Sequence, residues 1–398
     1  MNLRLLLVSS FLAVTSAVVA QGCADPVSVA DRPCPCVDGW TCCAGKKVCI
    51  APGETCEVAG SGPDTVVPDA GDAPDASDDT APRRLAETLW ARCLTASGGY
   101  VYWQQTDGLV TGLLASGDKG PEVPNSRMIG QLDYCGLAVD DGLLFYTLYV
   151  HAPAPTYFGV LNQLDLYAYG SWSLQNAPST TWRNDLTTPS SVAVTPDAVL
   201  YTEFETGRVT LLGRKVVKTV VLATGMNRPG EVRVHGRFAY FVEYGQGEPV
   251  PDGSIRRVSL DAPAPAEVET LVGNIVAPRG LQIVDGTLYF AAGRPSGSSG
   301  PPDSRVYALP LESSPLVAKP ILGDVRFGGR TFVVSGNAIY YPRIAVGDNT
   351  PRVVAKAALS TEAQGVDLYT SKDEIVDLAA DETRLYWADE VSVWSGPK

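Results

Sequence analysis

The stretch that decides the fold is Leu281-Gln282-Ile283-Val284-Asp285-Gly286-Thr287-Leu288-Tyr289-Phe290. Two β-prone runs flank Asp285-Gly286, a dipeptide that accepts the unusual dihedrals of a tight hairpin turn. The same pattern returns at 94–103, 137–146, 192–201, 232–241, 332–341 and 378–387. One aromatic holds the same place in each: Tyr102, Phe145, Tyr201, Tyr240, Tyr289, Tyr340 and Tyr386, spaced 39 to 56 residues apart. Such a period leaves room for four short strands per unit, the signature of a propeller, whereas a sandwich does not repeat so regularly. The reading is an all-β chain whose body, residues 83–398, is a seven-bladed β-propeller, with six or eight blades as the alternatives.

The ends of that body suggest how the ring closes. After the last hairpin, Val391-Ser392-Val393-Trp394 supplies a third strand and too little chain for a fourth. Residues 84–90, ahead of the first hairpin, would supply the missing outer strand and remove a free sheet edge.

Arg384-Leu385-Tyr386-Trp387-Ala388-Asp389 resembles the Tyr-Trp-Thr-Asp signature of YWTD-type propellers, with a partial echo at Tyr102-Trp103. The wider pattern, over about 90–398, is similar to NHL-type propellers. The resemblance implies a propeller fold and leaves the activity open.

The N-terminal residues read differently. Met1-Asn2-Leu3-Arg4 carries one positive charge, and 5–20 is apolar and rich in small residues. This is the form of a signal peptide over 1–22, too short to span a bilayer comfortably. Val19-Ala20-Gln21-Gly22-Cys23 resembles a bacterial lipobox, which implies lipidation of Cys23; cleavage after Ala20 and free secretion is the alternative. Nine cysteines are present, and lipidating Cys23 leaves an even eight for an oxidising compartment. Cys34, Cys36, Cys42, Cys43, Cys49 and Cys56 crowd a segment poor in aliphatic bulk, so 23–56 is expected to be stapled by disulfides among these six, in any of fifteen pairings. The adjacent Cys42-Cys43 resembles knottin-like modules. Residues 57–82, mostly Ala, Pro, Asp and Gly, read as a disordered linker. The whole arrangement resembles envelope lipoproteins of bacteria, which implies an outer-membrane anchor through the lipid alone.

Composition narrows function further. A net charge of −13 repels phosphate backbones and argues against nucleic acid as a partner. Gly-x-Ser-x-Gly, a His-rich metal motif and a phosphate loop are all missing from the sequence. No catalytic residue and no cofactor are therefore expected. The acids Asp141, Asp197, Asp285 and Asp381 fall in turns, which select such residues for backbone reasons.

Binding residues are sought on the face shared by the loops leading into the inner strands and those after the second strands. The largest insertion there follows Tyr146 and carries Tyr149, His151, Tyr157 and Phe158, with Tyr167, Tyr169 and Trp172 beyond. Clustered aromatics suit a protein or glycan ligand, or else pack between blades. Gln246 to Asp252 and Pro295 to Asp303 are long loops of the same face. Arg279 and Arg330 each lie ten residues before their central aromatic, where two guanidinium groups would hold a carboxylate or phosphate; pairing with an acid such as Glu231 is the competing assignment. Cys93 and Cys135 each precede an inner-strand run, in neighbouring blades, and are expected to form a disulfide. These features favour a non-catalytic, envelope-anchored binding protein that uses one propeller face. The alternative is a lactonase-like hydrolase or lyase with a divalent cation at the channel mouth.

Overall fold

The computed structural model describes residues 41–43, 48–50 and 81–398, except 89–90, 98–99, 105–109, 115–135, 141, 152–156, 166–178, 217, 248, 295–303, 323–330, 346–347 and 361–364. The chain divides into two units, Met1–Ala76 and Ser77–Lys398. In the first, Thr41–Cys43 pairs antiparallel with Val48–Ile50, and Cys42 stands opposite Cys49. The lipidation position Cys23, and Cys34, Cys36 and Cys56, lie outside the described residues. No described helix is long and apolar enough to cross a membrane.

The second unit is all β. Its strands form seven antiparallel sheets among the described residues, six of four strands and one of three. Every repeat quoted above is the inner hairpin of one sheet. The first strands are Arg92–Ser97, Leu137–Asp140, Pro189–Val194, Pro229–His235, Arg279–Val284, Val333–Ser335 and Ile375–Ala380. Each touches the first strand of the next sheet, and the seventh touches the first. These contacts close a ring, so the sheets are the blades of a seven-bladed propeller.

The central aromatics explain the seams. All seven are at most 8% exposed, but only six share one place: Tyr201 pairs with Val192 as Phe241 pairs with Val232, so Leu200 stands in the third blade where Tyr240 stands in the fourth. Strand alternation sends neighbouring side chains to opposite faces of a blade, so each blade feeds the core on both sides. Tyr240 and Phe241, for example, belong to two clusters, one shared with Leu288 and Phe290 of the fifth blade and one with Leu200 and Val209 of the third. Burying one such ring contributes about 2–3 kcal/mol.

The ring closes on its N-terminal strand. Arg83–Glu87 lies outermost in the seventh blade, beside Ser392–Pro397, with Ser392 opposite Glu87 and Ser395 opposite Arg83. It starts one residue earlier than expected, and the ladder ends where the Thr88 amide meets the Val391 carbonyl at 2.9 Å. Leu85 and Ala86 pack with Trp103, Ala379 and Tyr386 across the seam to the first blade.

A buried carboxylate pins the same seam. Asp377, on the inner strand of the seventh blade, accepts the Leu94 amide of the first blade at 2.8 Å and the Leu378 amide at 2.8 Å. Its carboxyl also meets the Cys93 amide and the Thr331 hydroxyl of the sixth blade. Burial pushes its pKa up to about 6 against the pull of those hydrogen bonds.

Two outcomes follow from this closure. Deleting 1–82 should leave a propeller that unfolds at the wild-type temperature, while deleting 1–90 should lower the midpoint and cause aggregation, read by thermal unfolding with light scattering. Equal midpoints would remove the closing role from Arg83–Glu87. For Asp377 the folded pKa exceeds the unfolded value of about 3.9, so folding favours the neutral carboxyl. Its contribution is complete below about pH 4 and lost as pH rises through about 6, roughly 3 kcal/mol in all. Denaturant titrations of wild type and Asp377→Asn across that window should show the wild-type advantage shrinking by that order as pH rises.

Candidate functional site

The residues singled out in the sequence are dispersed. Tyr149 and His151 end the second strand of the second blade, Leu143–His151, and Tyr157 and Phe158 begin the third, Tyr157–Asp165. His151 stands opposite Tyr157 and Val150 opposite Phe158. The expected loop insertion is therefore a lengthened pair of strands; Tyr167, Tyr169, Trp172, Arg330, Cys135 and the 295–303 loop lie outside the described residues. Cys93 is disulfide-bonded and lies within the first strand rather than ahead of it.

Arg279 corrects both of its assignments. The side chain is only 7% exposed. Its guanidinium donates to the Ala277 carbonyl at 2.7 Å, the Gly293 carbonyl at 2.8 Å and the Ser304 hydroxyl, binding two loops together. Glu231 does not pair with it; the carboxylate accepts the Gly280 amide at 2.8 Å and the Leu281 amide at 2.5 Å. The innermost edge of a blade has amides without ladder partners, and an acid from the neighbouring blade satisfies them. Among the turn acids, Asp381 behaves as expected, accepting the Thr383 and Arg384 amides at 2.8 Å each.

A built surface stands instead where the third and fourth blades meet, on the face expected to bind. Thr188, Arg228 and Ala277 immediately precede Pro189, Pro229 and Pro278 and have φ of 47°, 56° and 43°. A left-handed residue turns the chain sharply into each inner strand. Proline is tolerated next because the first amide of a free edge has no ladder to join. The reversed carbonyls then accept from the end of the second strand, Phe204 N to Thr188 O at 2.9 Å and Tyr244 N to Arg228 O at 3.1 Å.

Buried carboxylates lock these loops. Glu203 accepts the Thr187 amide at 2.8 Å, and Glu243 accepts the Asn227 amide at 2.8 Å. The second Glu243 oxygen takes the Ser254 hydroxyl at 2.7 Å and Nε of Arg256 at 2.5 Å. A charge so desolvated holds its place only with such partners. The loop after Tyr244 is capped in turn, with both Asp252 oxygens accepting the Gln246 amide at 2.9 and 3.0 Å.

Phe204 and Tyr244 thus occupy matching places in adjacent blades, half-buried, with ring centroids 6.2 Å apart and planes tilted by 48°. The Arg228 guanidinium lies over Phe204, 5.5 Å from its centroid, and Nη1 donates to the Gln246 carbonyl at 3.2 Å. Tyr244 rests on Gly230, where an added Cβ would stand 2.1 Å from the ring. Arg228, Asn227, Glu205 and Gln246, in the turns that carry the two rings or lead up to them, are exposed. Among the described residues, no group of three or more His, Cys, Asp or Glu side chains is placed to hold a metal ion.

No protein-family model and no curated protein matches the chain. Solved structures do resemble it. Virginiamycin B lyase from Staphylococcus aureus superposes with a TM-score of 0.55 at 11% identity, over 79% of this chain and 98% of that one. A catalytically inactive variant of that lyase with quinupristin gives 0.52 at 10%, over 80% and 96%. Tricorn protease gives 0.52 at 12%, over 82% of this chain and 34% of that one. At such identities these likenesses show the propeller fold alone.

Sequence reading missed Phe204, Arg228 and Tyr244 because each is a single residue in a short turn. The signal that finds them is the repeated residue-Pro step at 188–189, 228–229 and 277–278, which marks the same loop in three blades. The buried Glu243 is the support that this geometry rests on. Glu243→Gln should cost about 2–3 kcal/mol by leaving Arg256 without its charged partner. Glu243→Ala, which removes both acceptor oxygens, should also accelerate hydrogen exchange at the Asn227 amide, measured by mass spectrometry; an unchanged amide would deny Glu243 that role.

Proposed function

We propose that this chain is a non-catalytic binding protein of the cell envelope, exported and held to the outer membrane through lipid on Cys23. Its propeller engages a partner through the face that carries Phe204, Arg228 and Tyr244. One observation carries the reading: two half-buried rings and an exposed arginine are fixed in place by left-handed turns and buried carboxylates. Surface side chains without a task do not need such support, whereas preorganised aromatics and arginine are the usual anchors of recognition. The 57–82 linker would hold the propeller away from the membrane, and Cys93 would pair with Cys135 to tie the first two blades.

Two readouts test the proposal on the full-length protein. Phe204→Ala with Tyr244→Ala should abolish retention of an envelope ligand, while Lys215→Ala with Arg237→Ala, on the hairpin-turn face, should leave it intact. Loss from the turn-face variant alone would move the site to the other side of the ring. Separately, Cys23→Ser should shift the protein from the membrane to the soluble fraction; a wild-type protein already soluble would overturn the anchor.

A further inference from the structure

Arg228 differs from its counterparts in a way that names a ligand chemistry. The same backbone position holds Thr188 in the third blade and Ala277 in the fifth, all with φ between 43° and 56°. Arg228 places the longest side chain at this left-handed position, and it is exposed. Among the described residues its guanidinium meets the Phe204 ring and the Gln246 carbonyl and no carboxylate. The contact with Phe204 and the bond to Gln246 hold the side chain while leaving most of its donors open. A planar, always-charged fork is the side chain best suited to a carboxylate.

The surroundings restrict what carries that carboxylate. Phe204 and Tyr244, half-buried beside the guanidinium with their planes tilted by 48°, are aromatic surface of the kind against which the C–H face of a sugar packs. Asn227 and Gln246 are exposed, and only their backbone groups enter the hydrogen bonds of these loops. Their side-chain amides, each both donor and acceptor, match vicinal hydroxyls. Glu205, exposed in the turn after Phe204, adds a further hydroxyl acceptor.

Resting on the binding role given above, we infer that the seam of the third and fourth blades is a subsite for an acidic sugar, a hexuronate unit within a glycan. Arg228 holds the carboxylate, Phe204 and Tyr244 the ring face, and Asn227, Gln246 and Glu205 the hydroxyls.

Calorimetric titration of the full-length protein with a linear galacturonate trimer, and with the neutral galactose trimer, tests this. The acidic trimer should bind at least about tenfold more tightly than the neutral one. Arg228→Gly should remove that preference with no loss of thermal stability, because glycine accepts the left-handed backbone without strain. Arg228→Lys, which keeps the charge but loses the planar fork, should weaken binding, and Arg237→Gly on the opposite face should not. Equal binding of the two trimers, or an unchanged affinity in Arg228→Gly, overturns the inference. A triglutamate peptide bound in preference to the uronate would assign the subsite to acidic peptides and overturn it equally. If neither probe binds while Phe204→Ala with Tyr244→Ala still abolishes envelope retention, the sugar assignment falls and the binding face stands.

Discussion

Everything in this molecule depends on how the inner edge of each blade finds partners for its backbone. The first strand of a blade has a sheet neighbour on one side only, and the adjacent blade packs against its face and cannot extend the ladder. Side chains complete the bonding instead. Asp377 takes amides of the first blade, Glu231 those of the fifth, and Gln282 exchanges bonds with Phe332 and Val334 of the sixth. Ser190 and Thr202 donate to the Pro229 and Gly230 carbonyls of the fourth. Each is sheltered at a seam, where an unmade bond is costly. The apolar clusters hold neighbouring blades together, while these polar clasps fix their register.

Much of this architecture was legible from the chain. The hairpins could be read because each needs a local signal, a turn residue between two β-prone runs, and because an aromatic recurs at one place in six of them; in the third, Tyr201 lies one residue on and Leu200 takes that place. The closing strand could be read from a shortage: four residues after the last hairpin cannot supply two strands. Both inferences use only neighbours in sequence or a count of elements.

The candidate site was far less legible, for physical reasons. Arg228 is left-handed immediately before a proline, a conformation that local preference disfavours and only the surrounding ring imposes. Glu243 reads as one more acid on a strand end, yet its carboxylate serves an amide sixteen residues away. Arg279 looked like a ligand-binding guanidinium and proved to be an internal tie, because nothing in sequence reports that Ala277, Gly293 and Ser304 converge on it. Tyr149 and Tyr157 looked like residues of a loop, since an aromatic run rich in proline gives no sign that its two arms pair.

The closing strand also orders events in time. Arg83 and Ser395 are partners, so the seventh blade joins the two extremes of the domain. As the chain appears from its N-terminus, every blade but the last can assemble from contiguous residues. The Arg83–Glu87 segment must wait, extended and unpaired, until the final strand arrives. Such a non-local contact comes late and slowly. Ring closure is thus a completion signal, one that a truncated chain never produces, leaving its seventh blade an open edge.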